Sequence, residues 1–143
     1  MNKRRTAYDL TKTAMMLALA LVLSILEAWL LPKGIIPVPG FKLGLANIAL
    51  LVTLYSVGRK EALLVAVLRS LLLLAFGGNI VGFVFSLLGG ICAWATMCAV
   101  VDLPKVSIFG TSIAGAATHG IGQIIAALLL TRTFFVLLYL PYL

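Results

Sequence analysis

Charge is what this chain has least of. Asp, Glu, Lys and Arg make up 10% of its 143 residues, against roughly 25% in a soluble domain. Four acidic residues in total leave no Asp-rich motif of the kind that chelates a Mg²⁺-diphosphate. A single histidine without a Ser or Cys constellation argues against nucleophilic catalysis. No Gly-rich phosphate loop followed by Lys-Ser/Thr occurs, so the chain does not hydrolyse nucleotide by itself. The two cysteines, Cys92 and Cys98, fall inside one apolar run. That placement speaks against a metal site or a structural disulfide and for small packing residues. The chain is not read as an enzyme.

What fills the sequence instead is apolar: 63% hydrophobic residues, arranged in long uninterrupted runs. Runs near ~20 residues are long enough to cross a bilayer. In hydrocarbon every backbone amide must be paired within the chain, which leaves helices or a closed barrel. The runs are continuous Leu/Ala/Val/Ile stretches without two-residue alternation, so helices are expected. The expected fold is an all-α integral membrane bundle of about six transmembrane helices, at 13–31, 43–57, 62–76, 80–101, 107–130 and from 134 onward. Residues 1–12 form a basic N-terminal segment and 13–143 one transmembrane domain. The start resembles a basic signal n-region, but the run after Lys12 is too long for an h-region and lacks a small-x-small cleavage site. It is read as a first span. The last run, ending Pro141-Tyr142-Leu143, is too short to cross and is read as a truncated helix.

The net charge of +7 is distributed by side, not by patch. Lys3, Arg4, Arg5 and Lys12 precede the first span, Arg59 and Lys60 separate the second and third, and Lys105 separates the fourth and fifth. The alternate connections carry less: Lys33 and Lys42 in one, none around Gly77-Gly78-Asn79, Arg132 in another. By the positive-inside rule the N-terminus is cytoplasmic, in a multi-pass protein of the cell membrane. The basic excess orients the chain in lipid and does not bind nucleic acid.

Several positions stand out within this frame. The connection Pro32–Gly40, with three prolines, should be an ordered non-helical loop on the outer face. Spans two and three are short, about 15 residues or ~22 Å, as where broken backbone lines a cavity; bilayer thinning with Lys42 and Arg59 snorkelling explains them equally. On the first span, Ala14 and Ala18 form one small-residue stripe and Ala20, Ser24 and Ala28 another, so one can pack internally while the other docks a partner. Span four gathers Gly82, Ser86, Gly89, Gly90, Ala93 and Met97 on one side, a tight-packing face. Span five places Ser112, Gly115, His119, Gly122, Gln123 and Ala126 inward and Ile113, Ala117, Ile121, Ile124 and Leu128 toward lipid. His119 and Gln123 are one turn apart and can reach one point, either as ligand contacts or as interhelical glue. Arg69 falls midway along span three and needs a partner, a carbonyl cluster or a watery cavity. Glu27, near the outer end of span one, matches Lys42 in depth better than Arg69. Glu27 and Lys42 would form a charge pair at the rim of an outward pocket beside Trp29 and Asn79.

The segment Pro39-Gly40-Phe41-Lys42-Leu43-Gly44-Leu45-Ala46-Asn47-Ile48, the basic turn Gly58-Arg59-Lys60-Glu61 and the run Leu68-Arg69-Ser70-Leu71-Leu72 together resemble the "Gx transporter" membrane family. That family is also labelled heptaprenyl diphosphate synthase component I, and the resemblance covers most of the chain. In layout the chain is also similar to the substrate-binding S components of energy-coupling factor vitamin transporters. The resemblance implies a small-molecule ligand, and the polar residues Lys42, Asn47, Asn79, His119 and Gln123 are the candidates to bind it. It also implies separate ATPases and a coupling subunit docked on Ala14-x-x-x-Ala18. The synthase label implies instead a non-catalytic membrane subunit linked to polyprenyl or quinone synthesis, or to membrane electron transfer. The sequence names neither the ligand nor a cofactor.

Overall fold

A computed structural model describes residues 3–30 and 44–132, with side chains from Ala7 onward. The described residues form five helices: α1 Lys3–Leu30, α2 Asn47–Ser56, α3 Arg59–Ala75, α4 Ile80–Val100 and α5 Ile108–Thr131. Three stretches are long and apolar enough to cross a membrane: Ala7–Leu30 within α1, α4, and α5. The Pro-rich connection, Lys42 and the expected sixth span lie outside the described residues.

Two boundaries differ from the sequence expectation. α1 begins at Lys3 and not near residue 13, so the basic segment is the first turns of the same helix. Nothing between Lys3 and Lys12 breaks a helix. The Thr11 and Thr13 hydroxyls donate to the Ala7 and Asp9 carbonyls one turn back, and Lys12 lies over the Tyr8 ring. α2 is shorter than expected, only 10 residues, or ~15 Å at 1.5 Å per residue. It cannot start at residue 43 because Gly44 sits in the left-handed region, φ +85°, where a helix cannot propagate and only glycine is unstrained.

Polar ties hold one end of the bundle. The Arg59 guanidinium pairs with Asp102, Trp94 Nε1 donates to the Arg59 carbonyl at 2.8 Å, and the hydroxyls of Tyr55 and Thr111 lie 3.0 Å apart. These contacts join the start of α3 to the end of α4, and the end of α2 to the start of α5. Among the described residues α1 packs against α2 and α3, whereas α2, the shortest of the five described helices, touches the other four. Its Leu50, Leu51 and Leu54 share one apolar cluster with Ala62, Ala66, Ala93 and Met97, and its Ala49 shares another with Ala20 and Val65.

α4 and α5 are the closest pair. A Cβ on Gly122 would lie 2.7 Å from the Leu88 carbonyl oxygen and 2.8 Å from Gly89 Cα, so the two backbones meet there with no room for a side chain. Ser86, Gly89, Gly90, Ala93 and Met97 are buried on α4, and Gly115, His119, Gly122, Gln123 and Ala126 on α5. Ile113, Ala117 and Ile121 are exposed as the helical period predicts, but Ile124, expected to face lipid, is buried. On α1 the buried stripe is Thr13, Ala20, Ser24 and Glu27, while Ala28, grouped with it in the sequence reading, is exposed. Ala14 and Ala18 are both exposed.

Candidate functional site

Five helices converge on a buried polar centre built around the N-terminus of α2. Because α2 is so short, its first turn starts inside the bundle, and its N–H groups need acceptors there. Ala46, at its N-cap, supplies no side-chain bond. The acceptor comes from α1. Glu27, 1% exposed, takes the Gly44 N–H on Oε1 at 2.8 Å and the Leu45 N–H on Oε2 at 3.1 Å. A carboxylate at a helix N-terminus is favoured by the aligned peptide dipoles as well as by the two charge-assisted bonds. The expected pairing of Glu27 with Lys42 lies outside the described residues, and no ion pair joins Glu27 to Arg69 among them. The Glu27 carboxylate does lie near enough to Arg69 to act on it electrostatically.

Gly44 is where this turn meets α5. A Cβ there would lie 2.9 Å from Asn47 Nδ2 and 3.1 Å from His119 Cδ2. The missing side chain therefore lets the α2 entry turn press against the imidazole. On its other side the imidazole lies over Gly89 of α4, 2.7 Å from the place of a Cβ. His119 Nε2 and Gln123 Nε2 are 3.0 Å apart, so the ring nitrogen accepts and the second nitrogen carries the proton in that arrangement. The one-turn spacing brings the two side chains to one point, as their positions on the helix require.

One residue further along α4, the second cluster begins. Arg69 of α3, buried to 4% exposure, sends Nη2 to the Ser86 carbonyl at 3.4 Å and to Ser86 Oγ at 3.2 Å. The same Nη2 lies 3.4 Å from where a Gly90 Cβ would sit. Ser70 Oγ bonds the Ala66 carbonyl at 3.0 Å and Ser86 Oγ at 3.1 Å. Thus the buried cation is held by hydroxyl and carbonyl oxygens, not by a carboxylate. Gly89 and Gly90 are adjacent, so His119 and Arg69 flank one turn of α4.

Among the described residues, Arg69 and Asn47 hold buried polar atoms of this centre without a hydrogen-bond partner. Arg69 Nε is buried without an acceptor, and both ends of the Asn47 carboxamide, Nδ2 and Oδ1, are buried without partners. Buried polar groups are nearly always bonded, so unmet ones in a cluster point to a bound molecule or ordered water.

Of the residues singled out in the sequence, Glu27, Asn47, Arg69, His119 and Gln123 come together here. Asn79 does not: it is exposed, and its Oδ1 caps α4 by accepting from Gly82 N–H at 2.6 Å. This is a capping role, which Asn takes readily just before an apolar helix. Trp29 is exposed at 83%. The Gly44 and Leu45 amides and Ser70 were not singled out in advance. Backbone donors leave no trace in residue type, and Ser70 in a leucine run reads as a helix hydroxyl bonding its own backbone, which it also is.

An all-helical protein with three membrane-length apolar stretches, gathered around a buried polar centre, is the class these features define. Within it, the chain belongs to the family described as heptaprenyl diphosphate synthase component I, whose family model matches residues 16–143. No curated protein and no solved structure matches the sequence.

Proposed function

We propose that this chain is the membrane-embedded, substrate-binding subunit of a small-molecule uptake transporter, similar to an S component and energised by separate ATPase subunits. In this reading the chain is a multi-pass protein of the cell membrane with a cytoplasmic N-terminus, and it binds without catalysing. One observation carries it: Asn47, at the buried start of a half-length helix, and Arg69, on the neighbouring α3, both hold buried polar atoms without a hydrogen-bond partner among the described residues. Interrupted helices that end inside the bundle are how transporters present backbone dipoles to a polar substrate. A centre meant only to hold helices together would have its donors and acceptors matched. The exposed stripe at Ala14 and Ala18 supports a docking face for a coupling subunit, since close backbone approach needs small residues.

The family's name supplies the second reading, a non-catalytic membrane component partnered with a heptaprenyl diphosphate synthase. Affinity capture of the tagged chain from its own cell membranes separates the two. A co-purifying pair of ATPases with a membrane coupling subunit supports transport. A soluble prenyl synthase subunit captured in their place overturns it in favour of the second reading.

A further inference from the structure

We infer that Arg69 and Asn47 form the recognition edge of the buried centre, and that its ligand is a small organic acid. Its anionic oxygen group meets the Arg69 Nε–H, and a neighbouring amide or lactam edge pairs with the Asn47 carboxamide. The inference rests on the binding role proposed above and gives that role a ligand class.

The chemistry follows from which atoms are already used. A guanidinium has five N–H donors and no acceptor, and among the described residues the hydrogen bonds of Arg69 run from Nη2, to Ser86. The Nε–H beside it is buried with nothing to donate to. Only an acceptor can satisfy it, and an anionic one matches the planar donor fork best. The other buried carboxylate does not fill the place, because both oxygens of Glu27 are taken by the Gly44 and Leu45 amides.

Asn47 narrows the class. It is 7% exposed, and its unmet atoms are one donor and one acceptor on the same planar group. An apolar ligand satisfies neither, and a simple anion satisfies only Nδ2. A group presenting an N–H beside a C=O satisfies both. The two residues are linked through their neighbours, and we take them as two sides of one site: Asn47 Nδ2 and the His119 ring both crowd Gly44, the same ring lies on Gly89, and Arg69 Nη2 faces the adjacent Gly90. The helix N-terminus alone would not distinguish an anion from water; the orphaned side chains do.

The test uses the full chain in lipid nanodiscs and three probes: pyroglutamate (a carboxylate beside a lactam), propionate (the anion alone) and pyrrolidone (the lactam alone), titrated by calorimetry. Wild type should bind pyroglutamate at least about tenfold more tightly than either single-feature probe. Arg69→Gln should weaken pyroglutamate and propionate by about tenfold or more and leave pyrrolidone unchanged. Asn47→Ala should weaken pyroglutamate and pyrrolidone and spare propionate. Arg69→Lys, which keeps the charge and loses the fork, should retain part of the anion affinity and shows that the site tolerates substitution. Three equal affinities, or no binding of any probe by a folded wild type because water fills the centre, overturns the inference. So does full pyroglutamate affinity in both Arg69→Gln and Asn47→Ala. A tightly held cationic or apolar molecule recovered from the purified protein would sink this ligand class while leaving the binding role standing. A chain that holds no small molecule and captures no ATPase removes both.

Discussion

Replacing Glu27 by alanine removes the acceptor for two buried amides and leaves the entry turn of α2 without a cap. Each lost hydrogen bond to a charged group is worth about 1.5–3 kcal/mol, and the freed donors cannot reach water. Part of this is offset because the carboxylate no longer has to be held away from water, a penalty of several kcal/mol for a buried ion. The net destabilisation should be about 2–4 kcal/mol, the cost of two orphaned buried amide donors less that relief. Glu27→Gln keeps a carbonyl for one amide but turns an NH2 toward the other, so its loss should be smaller, about 1.5–3 kcal/mol. Equilibrium unfolding in detergent micelles gives the ranking, and amide hydrogen exchange at Gly44 and Leu45 gives the cause. Both amides should exchange faster in Glu27→Ala than in wild type, ahead of the amides in the middle of α4. A Glu27→Ala protein within about 1 kcal/mol of wild type, with unchanged exchange at those two amides, would refute the capping argument.

Three further outcomes follow from the same geometry. Gly44→Ala forces a side chain into the left-handed region and against Asn47 and His119, so it should destabilise by about 1–3 kcal/mol and shift the His119 ring resonances; unchanged resonances would contradict the contact. Gly122→Ala should cost more stability than Gly115→Ala, because the first Cβ meets the α4 backbone and the second meets the Met97 side chain, which can shift; the reverse order in thermal melts would overturn the packing account. Leucine at both Ala14 and Ala18 should leave stability within about 0.5 kcal/mol, since both residues are exposed, while capture of a coupling subunit is lost. If capture survived, that face would not be the dock.

Helix faces were legible in the sequence wherever small and large residues alternate with the helical period. Gly115, His119, Gly122 and Gln123 could be turned inward from spacing alone, because glycine permits close backbone approach and polar atoms avoid lipid. Ile124 breaks the pattern for a physical reason: it lies beside that face, and isoleucine can be buried or exposed at little difference in a lipid-crossing helix. The start of α1 was missed because charge marks where a membrane ends, not where a helix ends. The shortness of α2 depends on one glycine's backbone angle, which composition does not record. Glu27 could be recognised as a costly buried charge, but its partners are backbone amides, identical in every residue. Asn79 fits both a binding candidate and an N-cap by type, and the 2.6 Å bond from Gly82 N–H shows the cap.

The central claim, that the polar centre holds a small molecule, is tested most directly by native mass spectrometry of the full wild-type chain released gently from membranes. The account predicts a population heavier than the bare chain by the mass of one small organic molecule, and its loss in Arg69→Gln with the fold retained. A bare mass in repeated preparations, from protein that melts cooperatively, would contradict it.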